Sequence, residues 1–224
     1  MCSGGRADAL RAPLVSSVRH HRGRHVPRIT LTDFTDIVAK AGTPKATKVA
    51  QLKNRPVYDP AADFYKALRE GLVNLHEHGG VKGDVLQIAK RVTDPKKVAN
   101  YPVMLTGYKK WWGRKVLRWF DPPGDIYSKS GIDVAVNPEL GLEVNGMPCV
   151  IKLHLKSEPL SKTRADLVVT LMHTVLGTGE ASDPDFAILD VRQSKLFTFA
   201  AAHKNFQPMV DAELSYIATL WPQV

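Results

Sequence analysis

Residues 133–156 read DVAVNPELGLEVNGMPCVIKLHLK, and the Asn145-Gly146 pair near their centre decides the local fold. Asn-Gly is the preferred loop of a two-residue type I′ hairpin, because both central residues must take positive φ. Folding the chain about it sets Val144 against Met147, Leu142 against Cys149 and Leu140 against Ile151, all of them apolar pairs. The same register places Glu139 opposite Lys152 and Asn137 opposite His154, with Lys156 one pair further out. Successive side chains of a strand point to opposite faces. The hairpin is therefore expected to carry one apolar face and one face that gathers acid, base and imidazole. A one-residue slip would mix the two.

Working outward, residues 116–120 read as a strand ended by Asp121-Pro122-Pro123-Gly124. After the hairpin, Ser161 caps a helix with Leu167, Val168, Leu171, Met172 and Val175 inward. Residues 186–191 and 196–199 are strands joined by a tight polar turn, and Val210, Leu214 and Ile217 mark a last helix ending near Trp221. The N-terminal half reads as helices. Leu31, Phe34, Ile37 and Val38 keep helical spacing, with Thr30 or Thr32 as cap and Gly42 as stop. Thr43-Pro44 restarts the chain as N-cap and first helical residue. A third helix runs from Asp59-Pro60 to Gly79-Gly80 with Phe64, Leu68, Leu72 and Leu75 as its buried stripe. His76 and His78 end it, where a cationic imidazole suits the helix dipole. A fourth helix is expected over 85–92. A fifth starts at Asp94-Pro95 with Val98, Tyr101, Leu105 and Tyr108 on one side, and Pro102 as a potential kink. The order predicts an α+β fold, with a helical N-terminal half and a central mixed β-sheet flanked by helices. It divides into a disordered basic arm (1–28), a helical hairpin extension (29–58) and an α/β core (59–224).

The chain has 224 residues, 44% hydrophobic and 24% charged, which is ordinary for a globular protein with a core that needs no disulfides. Cys2 and Cys149 have no partner at metal-ligand spacing, so a reducing cytoplasm is the expected location. No apolar run approaches the ~20 residues of a membrane span, and no membrane partner is expected. The basic N-terminus lacks the apolar stretch of a signal peptide.

The net charge of +9 and a pI near 9.6 favour a polyanionic partner, DNA or RNA first. Six arginines lie within the first 28 residues against one acid, Asp8. Lys45, Lys48 and Lys53 decorate the second helix, in the outline of a helix-turn-helix that a plain helical hairpin shares. Tyr108-Lys109-Lys110-Trp111-Trp112-Gly113-Arg114-Lys115 interleaves rings with cations. If the rings are exposed, bases stack on them while Lys109, Lys110, Arg114 and Lys115 meet phosphates. Buried tryptophans with solvated cations at their edges are the alternative, and the one that the usual burial of tryptophan favours. Lys156 of the hairpin is a further expected phosphate contact, and His154 beside it a candidate catalytic residue.

The strand order β–β–β–α–β after a helix carrying a glutamate resembles the PD-(D/E)XK nuclease superfamily. Pro138-Glu139 stands where that superfamily has its Pro-Asp pair, Lys152 where it has its lysine, and Glu70 where many members carry an accessory acid. The architecture covers roughly residues 60–199 and the motif residues 132–156. The resemblance implies Mg²⁺ held by two acids, with the lysine stabilising charge on the scissile phosphate. The chain departs from the pattern at Val150, where the second acid belongs. With Lys156 as the motif lysine, that place falls to His154, a poor ligand for Mg²⁺. Asp133, Glu143 or Asp166 could supply a relocated acid, Asp133 being the preferred partner of Glu139 for the metal. Without metal, Glu139–Lys152 is an ordinary cross-strand ion pair worth roughly 0.2–1 kcal/mol, and His154 is half-exposed. No Gly-x-Ser-x-Gly elbow surrounds Ser157 or Ser161, and neither a P-loop nor a dinucleotide fingerprint is present. The expected function is a nucleic-acid-interacting protein with a nuclease-like core, or else a non-catalytic module that binds a protein partner.

Overall fold

The computed structural model describes residues 26–57, 59, 63–201 and 206–224. The arm expected over 1–28 lies outside them except for its last three residues, and Arg28 already belongs to strand β1 (Arg28–Thr30). Thr30 caps α1 (Leu31–Val38): its hydroxyl accepts the Asp33 N–H at 3.1 Å, and the Asp33 carboxylate accepts the Thr30 N–H at 2.9 Å. Gly42, at φ +55°, begins α2 (Gly42–Lys53) one residue before the expected Thr43. Next comes α3 (Lys66–Glu77), several residues later than the Asp59-Pro60 signal, of which residue 60 lies outside the described residues. Residues Lys82–Arg91 form a 3-10 helix in place of the expected fourth α-helix.

The Asp94 carboxylate accepts the Lys96 and Lys97 N–H groups at 2.8 and 3.0 Å and starts α4 (Pro95–Trp112), which runs on through Pro102. The strands follow: β2 (Leu117–Phe120), β3 (Asp125–Lys129), β4 (Ile132–Val136), β5 (Leu140–Val144) and β6 (Met147–His154). Ser161 caps α5 (Lys162–Leu176), and β7 (Asp185–Asp190), β8 (Lys195–Thr198) and α6 (Gln207–Leu220) complete the chain.

The fold is α+β. A five-stranded mixed sheet has the order β2-β5-β6-β7-β8, antiparallel except for the parallel pair β6–β7, which α5 connects. Parallel neighbours require such a crossover. A three-stranded sheet, β1-β4-β3, stands beside it. The hairpin turn forms as expected, with Asn145 at φ 52° and Gly146 at φ 87°, and the pairs Leu140–Ile151, Leu142–Cys149 and Val144–Met147 hold.

The expected long first strand, however, is two strands in two sheets. Asn137-Pro138 separates β4 from β5, since proline cannot donate to a ladder. The expected pairing of Asn137 with His154 is therefore lost, since the β5–β6 register ends at Leu140–Ile151; on its other flank His154 pairs with Asp190 of β7.

Strand alternation splits the interior into two apolar layers. Cys149, Ile151 and Leu153 of β6 and Ala187 and Leu189 of β7 face α3 and α4. Val150, Phe186 and Ile188 face α1, α5 and α6. The helices expected as an extension over 29–58 share this second layer, through Phe34, Ile37, Val49 and Leu52, and are part of the core. Among the described residues, no helix is long and apolar enough to cross a membrane.

Candidate functional site

Glu139 and Lys152 meet. The Lys152 ammonium donates to Glu139 Oε1, and the Leu153 N–H donates to Oε2 at 2.8 Å. Proline 138 ends the turn between the sheets, so Glu139 leads into β5 facing the middle of β6. The face that carries Lys152 and His154 is covered, contrary to expectation. Lys152 is 3% exposed and His154 6%, because β6 is the central strand and α1 and α5 lie over this side of it. His154 Nε2 lies 2.8 Å from the Glu158 carbonyl oxygen and donates to it.

Beyond the end of β6, Lys156 pairs with Asp36 of α1, whose Oδ2 also takes Lys48 of α2 at 3.2 Å. Two small hollows share Asp36, His154 and Lys156 in their walls. One, of about 30 Å³, adds Tyr65 and Arg69 of α3 together with Glu139 and Lys152. The other, of about 50 Å³, adds Lys40, Lys48 and Glu158. Five cations thus line the cleft: Lys40, Lys48, Arg69, Lys152 and Lys156. Three carboxylates of the walls oppose them, Asp36, Glu139 and Glu158, and Arg69 is paired with Asp63 at 2.6 Å.

The remaining expected site residues lie elsewhere. Glu70 turns away on α3 and pairs with Lys66 at 2.6 Å, while Arg69 and Tyr65 of the same helix face the cleft. Asp133 sits on β4 in the smaller sheet and accepts the Ser128 hydroxyl at 2.7 Å. Glu143 lies 3.6 Å from Arg118, and Asp166 is buried under Lys162 at 2.8 Å. None of these acids joins Glu139.

Mg²⁺ needs several oxygen donors around one point. Here Glu139 has no second carboxylate from Glu70, Asp133, Glu143 or Asp166 beside it, and Val150 lies fully buried in an apolar layer. Among the described residues, no three His, Cys, Asp or Glu side chains converge on a point. This donor set does not fit a Mg²⁺ centre.

Of the two readings of the aromatic and basic stretch, the one with buried rings holds. Tyr108, Trp111 and Trp112 are buried in the layer under α4, so no base can stack on them. The Lys115 ammonium folds back on the Trp111 carbonyl and over its ring at 5.3 Å, while Lys110 and Arg114 remain exposed. Those cations stand at the turn end of the sheet, where the Val116 N–H donates to Asn145 Oδ1 at 2.9 Å. Seven residues of strand, roughly 20 Å, separate Asn145 from Lys152.

The cations of α2 are likewise engaged. Lys45 pairs with Glu213, Lys48 with Asp36, and the Lys53 ammonium donates to the Val224 carbonyl. His76 departs from the cationic helix-end role. Burial lowers its pKa to about 4, and its Nε2 lies 2.7 Å from the Tyr108 hydroxyl. It is a neutral core residue at neutral pH.

Sequence reasoning missed the α1 wall. Asp36 is the residue whose position carried a signal: a charged side chain beside Phe34 and Ile37 on a helix this apolar is bound to be partly covered. That Lys48 and Lys156 would come to it is a tertiary fact. No family model matches this chain, and no curated protein matches it.

Proposed function

We propose that the chain binds nucleic acid at the cleft between α1 and the C-terminal end of β6, on a nuclease-like core that holds phosphates without cleaving them. The convergence of four lysines, Lys40, Lys48, Lys152 and Lys156, on three carboxylates around one concave site, with Asp36 shared by two of them, carries this reading. The overall charge of +9 adds long-range attraction for a polyanion. Two features support the nuclease-like core: three strands followed by a helix and a parallel strand (β2, β5, β6, α5, β7), and a glutamate before β5 that contacts a lysine on β6. The valine at position 150, and the placement of Glu70, Asp133, Glu143 and Asp166 away from Glu139, argue for binding rather than metal-assisted hydrolysis.

The test is binding of labelled single- and double-stranded DNA and RNA across a salt series, with and without divalent metal, with cleavage scored in the same lanes. The expected result is binding that weakens by about 0.9 log unit per phosphate contact per tenfold rise in salt on a duplex, with no products in any metal. Metal-dependent cleavage abolished by Glu139→Ala in a folded protein would overturn the non-cleaving half. No binding to any of the four probes at low salt would overturn the whole.

A second reading, a protein-interaction module, has its own observation. Val116 and Met147 are 66% and 70% exposed at the turn end of the hairpin. An apolar contact there would be nearly insensitive to salt, so the same series separates the two readings.

A further inference from the structure

The larger hollow has the composition of a seat for one phosphate group, and Asp36 is placed as its internal competitor. Lys40, Lys48 and Lys156 come from α1 and its C-terminal end, from α2 and from the segment after β6, three parts of the chain that converge only in the tertiary structure. The hollow measures about 50 Å³, far below the ~300 Å³ at which small-molecule pockets begin. It is too small for a base and suited to a compact anion. Two carboxylates meet the same lysines. The Asp36 Oδ2 takes both Lys48 and Lys156, and Glu158 lies 3.6 Å from Lys40 and 3.1 Å from Arg164. The two are not equivalent. Glu158 is half-exposed and can swing away, whereas Asp36 is buried on a capped helix packed against the core. His154 is buried between the two hollows with its Nε2 fixed on the Glu158 carbonyl.

We infer that this hollow binds a phosphate group of the nucleic acid, which takes over the Lys48 and Lys156 ammonium groups from Asp36. The inference rests on the nucleic-acid reading and deepens it. A phosphate brings two non-bridging oxygens when internal and three when terminal, each a strong acceptor, to lysines that share one carboxylate oxygen. Asp36 offsets part of the lysine charge and lowers the affinity of the seat, because its carboxylate stays close to the incoming anion. The site is thus weaker than its lysines alone would make it.

This arrangement predicts a gain of function. Asp36→Asn keeps the shape and removes the charge. It should tighten binding of a single-stranded oligonucleotide by about fivefold at low salt, the order expected for one charge at contact range in a solvated site. Lys48 and Lys156 are 20% and 41% exposed, so water can solvate them when their carboxylate is gone, and the variant should fold. Lys156→Ala should weaken the same binding. The probes are inorganic phosphate, as competitor and as ligand in a thermal-shift assay, and one oligonucleotide with and without a 5′-phosphate. Tighter binding of the 5′-phosphorylated form assigns the seat to a terminal phosphate, and equal binding assigns it to an internal one.

A metal site would give the opposite result, weaker binding by Asp36→Asn. Wild type that binds nucleic acid but is indifferent to Asp36→Asn and to inorganic phosphate removes the seat and leaves the functional reading standing. A phosphate thermal shift with no nucleic-acid binding keeps the seat and removes that reading.

Discussion

Replacing Lys152 by methionine should cost this protein about 3 kcal/mol, the low end of the 3–5 kcal/mol that follows when one member of a buried ion pair is removed. The Lys152 side chain is 4% exposed and that of Glu139 12%, so neither charge can recover its hydration once its partner is gone. The Leu153 N–H still donates to Glu139 Oε2 in the variant, which is why the low end applies. At roughly 2–4 °C per kcal/mol for a chain of this size, Tm should fall by about 10 °C. Urea unfolding at pH 7 gives the free energy, and the buried Trp111 and Trp112 supply a fluorescence signal to set beside circular dichroism as a two-state check. The double variant Glu139→Gln, Lys152→Met buries no charge, and should be destabilised by clearly less than the two single losses added together. A loss below about 0.5 kcal/mol for Lys152→Met, the range of ordinary surface substitutions, would refute the reasoning. It would show that water reaches the ammonium and that the pair is of the exposed cross-strand kind. The result also governs the assay of function, since lost binding in a Lys152 variant means nothing until the fold is shown intact.

Acid should destabilise the protein through His76. Its pKa is lowered to about 4 by burial, from 6.5 unfolded, so the unfolded state takes up the proton first as pH falls. Stability is unaffected by this group above pH 7, and declines between about 6.5 and 4 by about 3 kcal/mol in total. Urea unfolding at pH 7 and 4.5 should show a smaller decline for His76→Gln than for wild type. Equal declines would place the acid sensitivity elsewhere. Millimolar Mg²⁺ should leave Tm unchanged and EDTA should leave nucleic-acid binding unchanged, because the cleft lacks a free carboxylate pair; a saturable rise in Tm would reveal a cation site. Gly107→Ala should cost about 1–3 kcal/mol in urea unfolding, since its Cβ would stand 2.1 Å from the Val191 carbonyl oxygen. A neutral outcome would mean that α4 can shift away from the β7–β8 connection.

The hairpin register, the caps at Asp94 and Ser161 and the α+β class were legible in the sequence alone, and the first cap was narrowed to Thr30 or Thr32. Turn chemistry, capping side chains and hydrophobic period act over a few residues, and those residues are adjacent in the chain. The contact of Glu139 with Lys152 followed from the same local register. What lies over that pair did not. The period of 2 along β6 marks two faces but cannot say that both are covered, since covering depends on where α1, α3, α4 and α5 dock. Burial turned an expected surface pair into a sealed one and made His76 a neutral core residue. It also withdrew three rings from any contact with bases. The break at Pro138 was written in the sequence, yet its consequence, a second sheet that carries Asp133 away from Glu139, depends on the pairing of β4 with β1 some hundred residues earlier. The phosphate seat is the extreme case. Lys40, Lys48, Lys156 and Asp36 have no common period or motif, because charges on distant segments meet only after the apolar layers have packed.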